Sequence, residues 1–297
     1  MSEYFQLGVK RRPRVECVRV SVGHRRQLTA RVWRGDGRPL VLLHGLFDSS
    51  ACWTETLKPS DRPCYAIDLP GFGGSSLPQN NSVVSYAQDV AAALDRLNVP
   101  EFDLVGHSLG GGVAVSLAEN RGTQTRSLTL LAPVGFGHIA LAEVARLPLP
   151  RSVLRTVLQV ALAQPSITHP LFAAFVANGR GPTTTITAGL KTHANTFATG
   201  GVCAIHTICA VCDNRNAFHR RTVRYTGPVR ALWGEKDVMV PLSHSKALAR
   251  SIPQAKITIW TGMGHYPQFE RPAALSNYLF NSVVSKRADR QLVDEAV

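Results

Sequence analysis

The chain has 297 residues, 44% hydrophobic and 18% charged, with 24 Gly and 18 Pro. That balance excludes a disordered tail protein and a bare coiled coil, and the length suffices to bury a large core without disulfides or metals. Its 33 Lys and Arg against 20 Asp and Glu leave a net charge of +13, which brings nucleic acid, anionic membranes and anionic substrates into consideration.

The first stretch, MSEYFQLGVKRRPR, has no apolar run and no small-residue cleavage site, so it does not read as a signal peptide. No uninterrupted apolar run approaches the roughly 18 residues of a membrane span. Six scattered cysteines are too sparse for a disulfide framework. The expectation is a cytoplasmic protein with no transmembrane segment. Residues 1–40 carry ten basic and three acidic side chains. Within them, 15–22 and 28–33 alternate with a two-residue period around GHRRQ and read as a hairpin, so 1–38 forms an amino-terminal basic segment.

From residue 39 short β-branched runs alternate with helical patterns: PLVLLH, CYAID, FDLVGH and SLTLLA. Each run is continuous, as strands buried on both faces of a parallel sheet should be. Within Asn81–Asn98, the residues Val84, Ala87, Val90, Ala91, Leu94 and Leu97 recur at helical spacing, and Pro100 bars continuation. Residues 133–227 hold no such strand run, only apolar helical stretches such as Val153–Ala163 and Gly201–Val211. In 151–227 eight basic residues stand against one acid, Asp213. The alternation resumes with PVRALWG (228–234), a helix from Pro241 to about Ser251, AKITIW (255–260) and a last helix near Pro272–Ser285. Residues 286–297 read as a frayed polar tail. The pattern predicts a doubly wound, mostly parallel α/β core over 1–132 and 228–297, with a helical lid inserted at 133–227. Outside the two basic segments the charge sums to about −1.

The strand FDLVGH runs into Gly106-His107-Ser108-Leu109-Gly110, then Gly111, Gly112 and the helical AVSLA. A serine on so sharp a strand-to-helix turn is lifted above the sheet on strained backbone, and glycines two residues either side relieve collisions across the turn. The Leu109 amide opens the helix and faces the region where an oxyanion forms. Serine needs a base, and the base needs an orienting acid. Asp237 and His265 follow the strands PVRALWG and AKITIW, at carboxyl ends where catalysts collect in open α/β sheets. Glu235 is the rival acid, with a solvated loop carboxylate as its plainer reading. Other histidines compete less well: His24 sits in the hairpin turn, and His44 and His107 precede or adjoin the serine. His138, His169, His193, His206 and His219 fall in the insertion. His244 is expected to be solvated on the helix after Asp237.

These residues resemble the α/β-hydrolase superfamily, specifically lid-bearing serine hydrolases of the small-molecule esterase, C–C hydrolase or cofactor-free haloperoxidase type. The resemblance rests on GHSLG, His44-Gly45-Leu46, Asp68-Leu69-Pro70-Gly71-Phe72-Gly73-Gly74-Ser75, the G-x-x-D-x-x-x-P of Gly234–Pro241, and Gly264-His265 with Glu270-Arg271-Pro272. It implies a Ser108–His265–Asp237 triad and an oxyanion hole made by the Leu46 and Leu109 amides. It also implies a structural role for His44, a tight turn at DLPGFGGS, and no cofactor or metal. A serine nucleophile argues against the dehalogenase and epoxide-hydrolase branches, which use aspartate there.

Cys203, His206, Cys209 and Cys212 are all metal-ligand types. At three-residue steps on a helix, however, they fan over half the surface and cannot meet at one ion, so they read as a packed lid helix. Leu171, Phe172, Phe175, Phe197 and Ile205 are lid core first and substrate contacts second, while Trp53 and Trp233 read as core. The arginine excess reads first as solvated surface; its sharper alternative is steering of an anionic small-molecule substrate toward the lid. No nucleic-acid-binding pattern accompanies it. The expected reaction is hydrolysis of a carboxylic ester or related acyl bond. Its alternatives are C–C bond or thioester hydrolysis of an anionic substrate, cofactor-free perhydrolysis, or a hydrolase-fold ligand receptor. The sequence sets neither the leaving group nor an oligomeric state.

Overall fold

The computed structural model describes residues 15–280 other than 24, 47, 59, 140–213 and 215. The calls on Leu171, Phe172, Phe175, Phe197, Ile205 and the Cys203–Cys212 stretch therefore lie outside the described residues.

Eight strands form one sheet: β1 (Val15–Gly23), β2 (Arg26–Trp33), β3 (Leu40–Leu43), β4 (Cys64–Ile67), β5 (Phe102–His107), β6 (Thr125–Leu131), β7 (Val229–Gly234) and β8 (Ala255–Trp260). Their order is β1-β2-β4-β3-β5-β6-β7-β8. β2 runs antiparallel to both neighbours, and every pair from β4 to β8 is parallel.

The continuous apolar runs have a direct physical cause. Along β3, Val41 and Leu43 feed one core cluster while Leu40 and Leu42 feed the other. In β7, Ala231 and Trp233 face the first cluster and Leu232 the second. Successive side chains of a strand point to opposite faces, so a strand covered on both sides has no polar positions to alternate with.

The covering helices are α1 (Thr54–Leu57), α2 (Val83–Arg96), α3 (Leu109–Asn120), α4 (His244–Ser251), α5 (Pro267–Glu270) and α6 (Pro272–Phe280). α2, α3 and α4 bury their apolar faces in the first cluster; α1, α5 and α6 do so in the second. The Ser82 hydroxyl accepts from the Ser85 amide and caps α2. The Val83 amide at its start donates to Asn214 Oδ1.

One helix starts later than expected, and one short helix was not expected. α4 begins at His244 rather than Pro241, because the amides of His244 and Ser245 bond three residues back, to Pro241 and Leu242, in a tighter turn. The last helix, α6, begins at Pro272 as expected, and the extra short helix α5 stops ahead of it at Arg271, whose φ of −144° and ψ of 58° are non-helical. Pro272 accounts for this, since a proline disfavours helical backbone at the residue before it.

Candidate active site

The β5–α3 junction sets the geometry. Ser108 sits at φ 51°, ψ −116°, a region that costs a non-glycine residue of the order of 1–3 kcal/mol and persists only where the surroundings enforce it. The enforcement is visible in the backbone. The Ser108 amide donates to Leu131 O at 2.9 Å, while Ser108 O accepts from Gly111 (2.9 Å), Gly112 (3.2 Å) and Val134 (2.9 Å). A side chain at Gly106 would collide across the turn with Gly110 O and with Gly111 Cα (2.7 Å). At Gly110 the obstacle is different. There a Cβ would run into His44 O and, at 2.5 Å, Leu43 O. The second glycine is needed against the end of the neighbouring strand, not across the turn.

The loop after β3 packs against this junction. A Cβ at Gly45 would lie 2.7 Å from His107 Nδ1 and 3.1 Å from Ser108 Cβ, which brings the Leu46 segment up to the serine. Among the described residues, neither the Leu46 nor the Leu109 amide donates to a protein acceptor.

His44 is fully buried. Its Nδ1–H donates to Gly45 O at 2.8 Å, and its Nε2 accepts from the Leu69 amide at 3.0 Å. Burial holds it below the ordinary imidazole range. Both nitrogens serve the backbone, so it is a structural residue and not a base. The glycines at 71 and 73 have φ of +86° and +53°, and the turn closes on Asp68, which accepts from the Ser50 amide at 2.6 Å and the Gly74 amide at 2.9 Å. With the Gly74 amide held by Asp68 and those of Gly71, Phe72 and Ser75 held by backbone carbonyls, this segment is a structural turn.

Asp237 and His265 meet. His265 Nδ1 and Asp237 Oδ2 are 2.7 Å apart, with both side chains almost wholly buried. Asp237 Oδ1 accepts from the amides of Met239 and Val240, each at 2.9 Å, so one carboxylate oxygen is held by backbone and the other is presented to the imidazole. Trp233 Nε1 donates to Val240 O, tying the same loop to the core. Glu235 is exposed and accepts from the Gly262 amide at 2.8 Å, joining the two loops rather than facing His265. Among the described residues no hydrogen bond joins Ser108 Oγ to His265; catalytic hydrogen bonds often tighten only in the substrate complex.

Three supporting residues escaped the sequence reading. Glu270 is half-buried and accepts from the amides on both sides of His265, Gly264 at 2.8 Å and Tyr266 at 3.0 Å; burial raises its carboxyl above the ordinary range. His107 Nε2–H donates to His265 O at 2.8 Å, and Gln268 Nε2–H donates to His107 Nδ1 at 3.2 Å. The carbonyl partner and the amide partner together fix the His107 tautomer. These bonds hold the His265 backbone against the residue preceding Ser108, with the two imidazole rings 4.7 Å apart. Only the Glu270-Arg271-Pro272 triplet hinted at this in sequence. His244 corrects an expectation. It is buried, not solvated, and its Nε2–H donates to His138 O at 2.8 Å, because the segment leaving β6 packs over it at Gly137.

Asp48, in the loop carrying Leu46, is the other unforeseen group. It is fully buried; Oδ1 accepts from the Ser49 amide at 2.8 Å, and the Cys52 thiol and Gln268 side chain also face the carboxyl. Burial, with Asp68 adding to it, pushes its carboxyl up to about 7. The folded chain thus holds a proton that the unfolded chain releases between about pH 4 and 7, and the associated stability, present below pH 4, is lost as pH rises through 7. Asp48→Asn is expected to leave thermal stability unchanged near pH 4 and to raise it at pH 8, by at most about 4 kcal/mol. Denaturant melts across that range test it; parallel curves for the two proteins would contradict it.

Comparison with known proteins places this architecture. A model of the alpha/beta hydrolase family matches residues 40–277. The chain is 28% identical to an uncharacterized protein of Mycobacterium tuberculosis, over 80% of this chain and 73% of the relative. It is 26% identical to a 2-hydroxymuconate semialdehyde hydrolase of a Pseudomonas strain, over 82% of this chain and 86% of that enzyme. The solved structure of a thermophilic esterase from Thermogutta terrifontis superposes with a TM-score of 0.73 at 19% identity, covering 89% of this chain and 96% of the esterase. The chain belongs to the alpha/beta hydrolase family.

Proposed function

We propose that the protein is a serine hydrolase that cleaves a carboxylic ester or related acyl bond of a small molecule through an acyl-enzyme. The observation that carries this reading is the buried 2.7 Å contact between His265 Nδ1 and Asp237 Oδ2, set beside a serine on enforced, strained backbone. Ser108 Oγ attacks the carbonyl carbon while His265 Nε2 takes its proton. Asp237 keeps the imidazole proton on Nδ1 and stabilises the imidazolium. The amides of Leu46 and Leu109 receive the oxyanion, and two such donors aimed at a developing charge are worth several kcal/mol in the transition state. The proton on His265 then goes to the leaving group, and the same imidazole activates water to release the acid. Nothing in these steps draws on a metal or cofactor. The substrate pocket is assigned to the insertion expected over 133–227, most of which lies outside the described residues.

A second reading, hydrolysis of an anionic substrate at a C–C bond, draws support from the similarity to the 2-hydroxymuconate semialdehyde hydrolase and from the basic balance of residues 151–227. A panel of neutral short-chain esters, carboxylate-bearing esters, acyl-CoAs and 2-hydroxymuconate semialdehyde, assayed at low and high salt, separates the two. The ester reading expects turnover of the neutral esters with little response to salt. Turnover confined to the semialdehyde would replace it with the second reading. If the basic segment steers substrate, kcat/KM for the anionic esters falls with salt while the neutral ones hold.

A further inference from the structure

At the opposite end of the sheet from Ser108, the amino ends of β3, β5, β6 and β7 surround a cavity of about 330 Å³. Four arginines line it, Arg38, Arg62, Arg126 and Arg230, with Asp103 as the one lining carboxylate. Asp103 is already fully used: it pairs with Arg62 at 2.6 Å and Arg38 at 3.6 Å and accepts from the Ser127 hydroxyl at 2.7 Å. Arg126 is matched outside the cavity by Glu101.

Arg230 has no such match. It occupies the second position of β7, paired on both sides, where an apolar residue is the rule. It donates to Tyr278 O at 2.9 Å and Thr129 Oγ1 at 3.3 Å and lies 4.9 Å from the Tyr278 ring centroid, but it forms no ion pair with a carboxylate among the described residues. Its register partner on β8 is Lys256, so two cations stand opposite each other on one face of the sheet. Like charges so placed are destabilising on their own. An anion in the cavity would offset Arg230 and the surplus of Arg38 over the single charge of Asp103.

We propose that this cavity binds a small organic phosphate. Guanidinium groups match phosphate oxygens with paired, charge-assisted hydrogen bonds. Leu40, Val105 and Leu279 also line the cavity and accommodate an apolar body attached to the phosphate. Along β5, Asp103 and Ser108 are separated by five residue steps, about 16 Å in a strand, so the ligand here is an effector and not the hydrolytic substrate.

Phenyl phosphate is the probe, titrated by calorimetry into the full chain, with benzamide as the uncharged control. Saturable binding of phenyl phosphate but not benzamide is expected. Arg230→Gln should weaken it about tenfold. Arg38→Gln, at a half-exposed rim position, should weaken it several-fold. Ser108→Ala should bind as the parent does, which separates this site from the hydrolytic reading. Absence of saturable binding below about 10 mM, or affinities unchanged in both arginine variants, would overturn the proposal.

Discussion

Replacing Ser108 with alanine is expected to lower kcat/KM for short p-nitrophenyl esters by about 10⁴-fold or more while leaving stability within about 1 kcal/mol of the parent. The two halves of that expectation have separate causes. The strained turn is held by backbone, through the Ser108 amide to Leu131 O and through Ser108 O to three following amides. The hydroxyl has no hydrogen-bond partner among the described residues, so its removal breaks nothing structural. What it removes is the atom proposed to attack. Steady-state rates and denaturant melts on the same preparation check both halves; wild-type ester turnover by the variant would rule out Ser108 as nucleophile.

Asp237→Asn is expected to cost about 10³–10⁴-fold in kcat with little change in KM. The reason lies in the carboxylate's other oxygen. Oδ1 accepts from the Met239 and Val240 amides, and in the asparagine variant only the carbonyl oxygen can take that place. The amide NH₂ is then forced to face His265 Nδ1. That nitrogen must become an acceptor, the imidazole proton moves to Nε2, and the nitrogen proposed to take the serine proton is blocked. Asp237→Ala leaves Nδ1 without a partner but does not impose the wrong tautomer. The asparagine variant is therefore expected to be at least as impaired as the alanine one, despite being closer in shape. Activity in Asp237→Asn close to the parent's would show that another group orients His265.

Most of the core was legible because it is governed by local rules. Runs such as LVLL and ALWG can sit only where both faces are covered, and Gly106 marks a turn that a larger residue would obstruct. What escaped the sequence depends on contacts between distant segments. Gly110 is required by the carbonyls ending β3, a neighbour set by strand order rather than by the turn itself. Glu270, His107 and Gln268 hold His265 through backbone atoms, and backbone partners leave no residue-type signature. The helix after Asp237 predicts a solvated His244, but the segment leaving β6 lies over it. Asp48 had no motif to announce it, since its consequence comes from complete burial.

The charge that first pointed to nucleic acid or membrane is also resolved more finely. Among the described residues no helix is long and apolar enough to cross a membrane. Part of the excess collects in one arginine-lined cavity remote from the serine, including Arg62, Arg126 and Arg230 from a core whose total charge is near zero. A summed charge concealed that local imbalance.

Covalent labelling tests the central claim most directly. A fluorophosphonate should add once per chain, peptide mass spectrometry should place the adduct on Ser108, and ester turnover should disappear in proportion to labelling. Labelling should be lost in Ser108→Ala and strongly slowed in Asp237→Asn. An adduct on another residue, or ester turnover that survives complete modification of Ser108, would contradict the account.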